Sequence, residues 1–236
     1  MPKRYRKLRG DTAYYPFAAR TGLRARQRRH VRVLRGAGLA ALALAAVLLV
    51  AYIGYVIHAL CVYSFSMAAL ARISPVTFFR EMVPAMMMAF SSASSVGTLP
   101  FTLECAEKLG ARKEIASFII PLGATINMDG TAIYQCVATI FLATCCGMTL
   151  TLGQMVTIVV TATLASIGTA GTPGAGMIML AMVLEAMNIP VDMIMLIYGI
   201  DRLFDMGRTC LNITGDISCA CCVTKWESKK AAQTAK

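Results

Sequence analysis

This sequence is poor in charge. Only 15% of its 236 residues are Asp, Glu, Lys or Arg, against 57% hydrophobic residues and a mean hydropathy of +0.64. Soluble domains carry about 25% charged residues, so the composition argues against a water-soluble globular fold. Acids are absent where bases are dense: 12 of the 23 Lys and Arg precede residue 36, accompanied only by Asp11. The other 11 bases face 11 acids, which leaves no global basic surface for nucleic acid. Histidine is nearly missing, with His30 in the basic tail and His58 in the first apolar run, so no Ser-His-Asp set can be assembled. No Gly-Lys-Ser/Thr ending follows any glycine-rich stretch, which excludes a phosphate loop. The nine cysteines lie mostly within apolar runs. Cys219 and Cys222 have CxxC spacing but no second pair, which speaks against both a disulfide scaffold and a structural zinc.

Long uncharged runs fill the rest. Residues 36–71 contain no Asp, Glu, Lys or Arg, enough for one long, tilted membrane helix, since about 20 residues span the hydrocarbon core. Residues 82–103 are again uncharged, yet Ser91-Ser92-Ala93-Ser94-Ser95-Val96-Gly97-Thr98-Leu99-Pro100 interrupts them. A third apolar segment carries Asn127-Met128-Asp129-Gly130-Thr131 at its centre, and residues 130–184 are uncharged throughout. That stretch must fold back on itself, and it is broken again by Gly168-Thr169-Ala170-Gly171-Thr172-Pro173-Gly174-Ala175-Gly176. Unsatisfied backbone in lipid costs several kcal/mol per group, so such breaks are expected only inside protein or around a wet cavity. Each broken segment precedes a polar helix, a repeat that points to a transporter's midplane binding site.

The last helix carries the strongest signal. Asp201, Asp205, Arg208, Asn212 and Asp216 fall within about 80° of one another at about 100° per residue, a single polar stripe with Thr209 beside it. A charge at the bilayer centre costs roughly 2.5–3.5 kcal/mol, so this face must look at protein, water or ligand. Asp205 and Arg208 can neutralise each other across one turn. Three acids against one Arg, with Asn and Thr, also suit a site that takes an anion and a cation. Asn127, Asp129 and Thr131 offer amide, carboxylate and hydroxyl oxygens of the kind hard cations prefer.

Together these motifs resemble the dicarboxylate/amino acid:cation symporters, the glutamate transporter family. The matching pieces are Ser94-Ser95-Val96-Gly97-Thr98-Leu99-Pro100, Pro121 to Thr131, Ala165 to Gly176, and Asp205-Met206-Gly207-Arg208-Thr209 with Asn212 and Asp216, together covering roughly residues 50–226. The resemblance implies an all-α integral membrane protein, the transport core of that fold. Three transmembrane helices (36–71, 113–145 and 191–223) would enclose two re-entrant helical hairpins (75–109 and 152–186). Residues 1–35 would be a disordered or non-native basic tail, and 225–236 a cytoplasmic tail.

By the same resemblance the protein would be no enzyme but a symporter driven by Na⁺ or H⁺. It would take up aspartate or glutamate across the plasma membrane as a multi-pass homotrimer, with no organic cofactor. Arg208 would grip the substrate's side-chain carboxylate, helped by Thr131 and the backbone near Gly176, and Asp205 would hold its amino group. Ser95, Thr209 and Asn212 would take the α-carboxylate, with Ser94 and Met128 completing the substrate set. Gly123, Asn127, Asn212 and Asp216 would form one sodium site, and Thr125, Ser166, Ile167 and Thr169 a second. Asp129 would belong to a third.

Three departures follow from the same comparison. Members have eight spans and two hairpins, whereas this chain holds only the last three spans with both hairpins, so a non-transporting fragment is the alternative reading. Archaeal members place an Arg at the first hairpin tip and animal members one beside the Asp of the eighth helix; here those positions are Ala93 and Met206. The basic tail matches nothing in the family. Loops at 72–80 and 108–113 and the end from Lys225 agree on a cytoplasmic side, and three spans would then put the tail outside, against the positive-inside rule.

Overall fold

A computed structural model describes the backbone of residues 15–234 and the side chains of 37–233. The chain divides into two units, residues 1–46 and 47–236. In the first, the described residues belong to helix α1, Tyr15–His58. Residues 15–35, expected to be disordered or non-native, are helical, in keeping with a stretch rich in Arg and Ala, both good helix formers. Residues 1–14 lie outside the described residues.

In the second unit α1 gives way to two π-helical turns, Ala59–Tyr63 and Met67–Ala71, and stops where Arg72 adopts φ 58°. Helix α2 (Pro75–Ser92) opens with Pro at its first position, where the missing N–H costs nothing. It meets α3 (Ser95–Lys108) through a two-residue break at Ala93 and Ser94, and the Ser94 hydroxyl caps α3 by accepting from Gly97 N at 3.0 Å. Helices α4 (Lys113–Ile126) and α5 (Asp129–Cys145) are parted only by Asn127 and Met128, whose backbones leave the helical region. A Thr151–Gln154 capping box starts α6 (Leu152–Ser166), and after eight non-helical residues α7 runs Ala175–Ala186. Short turns at Val191–Ile194 and Met195–Tyr198 lead into α8 (Asp201–Thr234). The tail expected from Lys225 thus continues the helix, since Lys, Glu, Ala and Gln follow without Gly or Pro.

Helix α8 is the axis of this unit and packs against α2, α3, α4, α5 and the second π turn, while α2 packs on α3 and α6 on α7. Phe78, Met82, Ile120, Leu142, Leu180 and Ile213 fill the interior. The exterior is apolar as well, with Phe118 at 69% exposure and Ile178 at 73%. A soluble protein rarely leaves so much apolar surface to water. Among the described residues one helical stretch, Ala37–Ala71, is by length and composition able to cross a membrane alone. The other two expected spans are interrupted or polar: α4 and α5 break at 127–128, and α8 carries its charged stripe inward.

Candidate ligand site between the two hairpin tips and the last helix

The polar stripe is buried. Asp201, Asp205, Arg208, Thr209, Asn212 and Asp216 are each no more than 5% exposed. Arg208 Nε and Nη2 both donate to Asp205 Oδ1, at 2.7 and 2.5 Å. Asp205 Oδ2 accepts from Gly174 N at 2.7 Å, which ties the second tip to α8. Gly174 has φ +80°, a conformation that a side chain disfavours, and its N–H faces the carboxylate because of that turn. The third guanidinium nitrogen, Nη1, is buried without a partner among the described residues. Gly176 lies so close to it that a Cβ would collide with the guanidinium, so only glycine lets Arg208 stand here.

Two residues not singled out from the sequence complete the setting of Arg208. Its guanidinium carbon sits 4.8 Å from the centroid of the Tyr134 ring, a cation–π contact. The Tyr134 hydroxyl donates to Asp201 Oδ1 at 2.8 Å. Tyr55 OH is buried nearby with no partner. The available signal was the tyrosine hydroxyl itself, which seeks a polar partner when it lies in an apolar run. Tyr134→Phe keeps the ring but leaves buried Asp201 without its donor. Unfolding in detergent should then show a loss of about 1–3 kcal/mol. An unchanged midpoint would show that Asp201 is satisfied some other way.

Of the residues expected to bind substrate, Ser95, Met128, Thr131, Gly176, Asp205, Arg208, Thr209 and Asn212 line one cavity together with Ala93 and residues 169–172. Its volume is about 10 Å³, roughly what one water molecule needs. Ser94 is not on that lining: its hydroxyl donates to Gly171 O at 2.9 Å, and Val96 N donates to the same oxygen at 3.2 Å. The tips therefore touch, and the site is shut around itself. Three helix N-termini open onto it, those of α3 at Ser95, α5 after Met128 and α7 before Gly176, so their positive ends converge on the cavity.

The residues assigned to the first sodium site also come together. Asn127 Nδ2 donates to Asn212 O at 2.9 Å and to Asp216 Oδ1 at 3.0 Å, and a Cβ on Gly123 would strike the Asp216 carboxylate. Asn212 Oδ1 accepts from Gly130 N at 2.8 Å, while its amide approaches Met128 Sδ at 3.0 Å and Thr131 Oγ1 at 3.4 Å. Asp216 is 1% exposed, and none of the four ion pairs found among the described residues includes it. A carboxylate so placed is costly unless a cation or a proton neutralises it. The second set meets through the backbone, with Gly168 N donating to Thr125 O at 3.0 Å. The Thr125, Ser166 and Thr169 hydroxyls each donate to a carbonyl of their own segment, and the Ile167 side chain is exposed. Asp129 lies apart, held by the end of α1 and the first π turn: Tyr63 OH donates to its Oδ2 at 2.6 Å, and His58 Nε2 stands 3.1 Å from the same oxygen.

The helices, the apolar exterior and the broken segments that meet around a buried polar stripe agree with the class of membrane transporters. Residues 33–226 match the Sodium:dicarboxylate symporter family, and the chain belongs to it. It is 44% identical over 165 residues to the Neutral amino acid transporter B(0) of Rattus norvegicus, covering 70% of this chain and 30% of that protein. It is 42% identical over 181 residues to Excitatory amino acid transporter 3 of Mus musculus, covering 76% and 35%. A putative sodium-dependent excitatory amino acid transporter of Caenorhabditis elegans is 42% identical over 165 residues, covering 70% and 33%. The chain thus spans about a third of the length of the curated relatives it matches.

Proposed function

We propose that this chain forms the substrate- and cation-binding part of a cation-coupled symporter for an acidic amino acid, aspartate or glutamate, in the plasma membrane. The buried Asp205–Arg208 pair carries the reading. Relatives named for excitatory and for neutral amino acids resemble the chain about equally, so the choice of substrate rests on this pair. Removing one partner of a buried ion pair costs about 3–5 kcal/mol, because the other charge is left bare. A solute entering the site must therefore satisfy both charges when it separates them. An acidic amino acid does so: its side-chain carboxylate replaces Asp205 on Arg208 and adds a bond to the unpartnered Nη1, while its ammonium takes the Asp205 carboxylate. A neutral amino acid leaves Arg208 bare, and a plain dicarboxylate leaves Asp205 bare. The α-carboxylate then falls to the N-terminus of α3, with Ser95, Thr209 and Asn212.

The coupling ion belongs at Asp216. Its carboxylate lacks a positive partner among the described residues, and Gly123, Asn127 and Asn212 surround it with amide and carbonyl groups. Asn212 lies on both the cation set and the substrate cavity, which joins the two physically. Aspartate binding should accordingly tighten about 5–150-fold as sodium replaces choline, the usual span of site-to-site coupling. Asp216→Asn should flatten that dependence while leaving weak binding at high sodium. Scintillation binding on the purified protein reads both. Equal wild-type affinity in sodium and choline would refute the sodium assignment and favour a proton.

A further inference from the structure

We propose that the groove between the end of the second π-helical turn and residues 222–229 of α8 binds the headgroup of an acidic phospholipid. The groove has a volume of about 680 Å³, and Leu70, Arg72, Val223, Lys225, Trp226 and Lys229 line it. Arg72, Lys225 and Lys229 are exposed, and no ion pair among the described residues includes them. The nearby acid on α8, Glu227, faces Arg112 instead, at 4.0 Å. Three cations thus share one concave surface, with no anion among the described residues paired to them.

The place of the groove selects the anion. The apolar stretch Ala37–Ala71 ends one residue before Arg72, so the cations stand where hydrocarbon gives way to water. The other basic loop gathers at the same end, since Arg112 N donates to Thr224 Oγ1 at 3.1 Å. Trp226 is 62% exposed and Leu70 59%, an aromatic and an aliphatic side chain left at that boundary. Tryptophan favours the headgroup level, where one part of the ring is wet and the other apolar. A phosphodiester would receive the guanidinium and ammonium hydrogen bonds, and its acyl chains would run along Leu70 and Val223. Basic pockets between membrane helices on the cytoplasmic side recognise anionic headgroups through this combination. A free phosphate matches the cations but has no use for the apolar floor.

Native mass spectrometry of the purified full chain, titrated with phosphatidylglycerol or phosphatidylcholine, tests the assignment. Each of Arg72→Gln, Lys225→Gln and Lys229→Gln should weaken phosphatidylglycerol binding about five-fold, and the triple variant about a hundred-fold. Phosphatidylcholine binding should not change, and Leu70→Asn should weaken phosphatidylglycerol without removing charge. Retained sodium-linked aspartate binding checks that each variant is folded. The basic residues before position 36 are common to all variants, so only differences between variants report on the groove. Lys113→Gln, outside the groove, should leave the titration unaltered. A triple variant within two-fold of wild type would overturn the proposal. So would inorganic phosphate that competes as well as the lipid, because the site would then be one for free phosphate.

Discussion

Arg208→Cys should abolish high-affinity aspartate binding and admit neutral amino acids such as serine. The guanidinium is buried, and among the described residues Asp205 is its only ion-pair partner in the shut site. Truncating one member of a buried, hydrogen-bonded charge pair costs about 2–5 kcal/mol, or roughly 30- to 5,000-fold in affinity. The gain for serine has a separate cause. In the wild type a neutral substrate takes Asp205 and leaves Arg208 without a counter-charge; with cysteine there is no stranded cation to penalise it. Cysteine also vacates the space against Gly176 and the Tyr134 ring, so no new clash blocks the exchange. Direct binding of labelled aspartate and of labelled serine to the wild type and the variant, each challenged with succinate, distinguishes the possibilities. Wild-type aspartate affinity in the variant would remove Arg208 from the substrate site. Loss of aspartate without any gain for serine would mean that Arg208 holds the site's shape rather than its selectivity.

The part of this arrangement that was legible in the sequence is the part governed by local periodicity and cost. Charges at 201, 205, 208 and 216 in an otherwise apolar chain had to share a face, and that face is buried against α4 and α5. The i, i+3 neutralisation of Asp205 by Arg208 followed from spacing alone, and it coexists with a ligand role because the pair is what a ligand would exchange. What spacing does not give is the partner of Asp129. His58 and Tyr63 are five residues apart, which puts them on different faces of an α-helix but one turn apart in a π-helix. The turn Ala59–Tyr63 brings both to the same carboxylate oxygen, and nothing in the local sequence announces a π turn. The helix that runs from Tyr15 was likewise not legible in the basic tail, which matched no known motif. The two interrupted segments were readable as breaks, because serine, glycine and proline at mid-run have few other uses. That the breaks touch, through Ser94 and Val96 on Gly171, required the fold.

Those contacts lead to the second large effect, which concerns the gate. In the shut site the second tip is fastened by Gly174 to Asp205, by Gly168 to Thr125 and by Gly171 to Ser94 and Val96. A cavity with room for one water admits no amino acid, so one tip must leave before a substrate enters. The second is the better candidate. Residues 167–174 form eight non-helical residues between α6 and α7, with Gly168 and Gly174 in left-handed conformations. The first tip is only Ala93 and Ser94 between α2 and α3, stiffened by the Ser94 cap. Segments with few packed side chains open at low free energy, and a lid closes over the groups it completes. A ligand that binds only the closed form stabilises it by about 2.7 kcal/mol at a hundred times its dissociation constant, which slows exchange through opening roughly a hundred-fold. Hydrogen exchange with sodium and aspartate should therefore slow about a hundred-fold across 168–176, against little change at the first tip. Gly176→Ala should erase the slowing, since a methyl group there meets the Arg208 guanidinium and keeps the lid from seating. Protection spread equally over both tips would make the first hairpin a gate as well. Exchange indifferent to ligand would mean that the shut site never opens to substrate, and the symporter reading would fall with it.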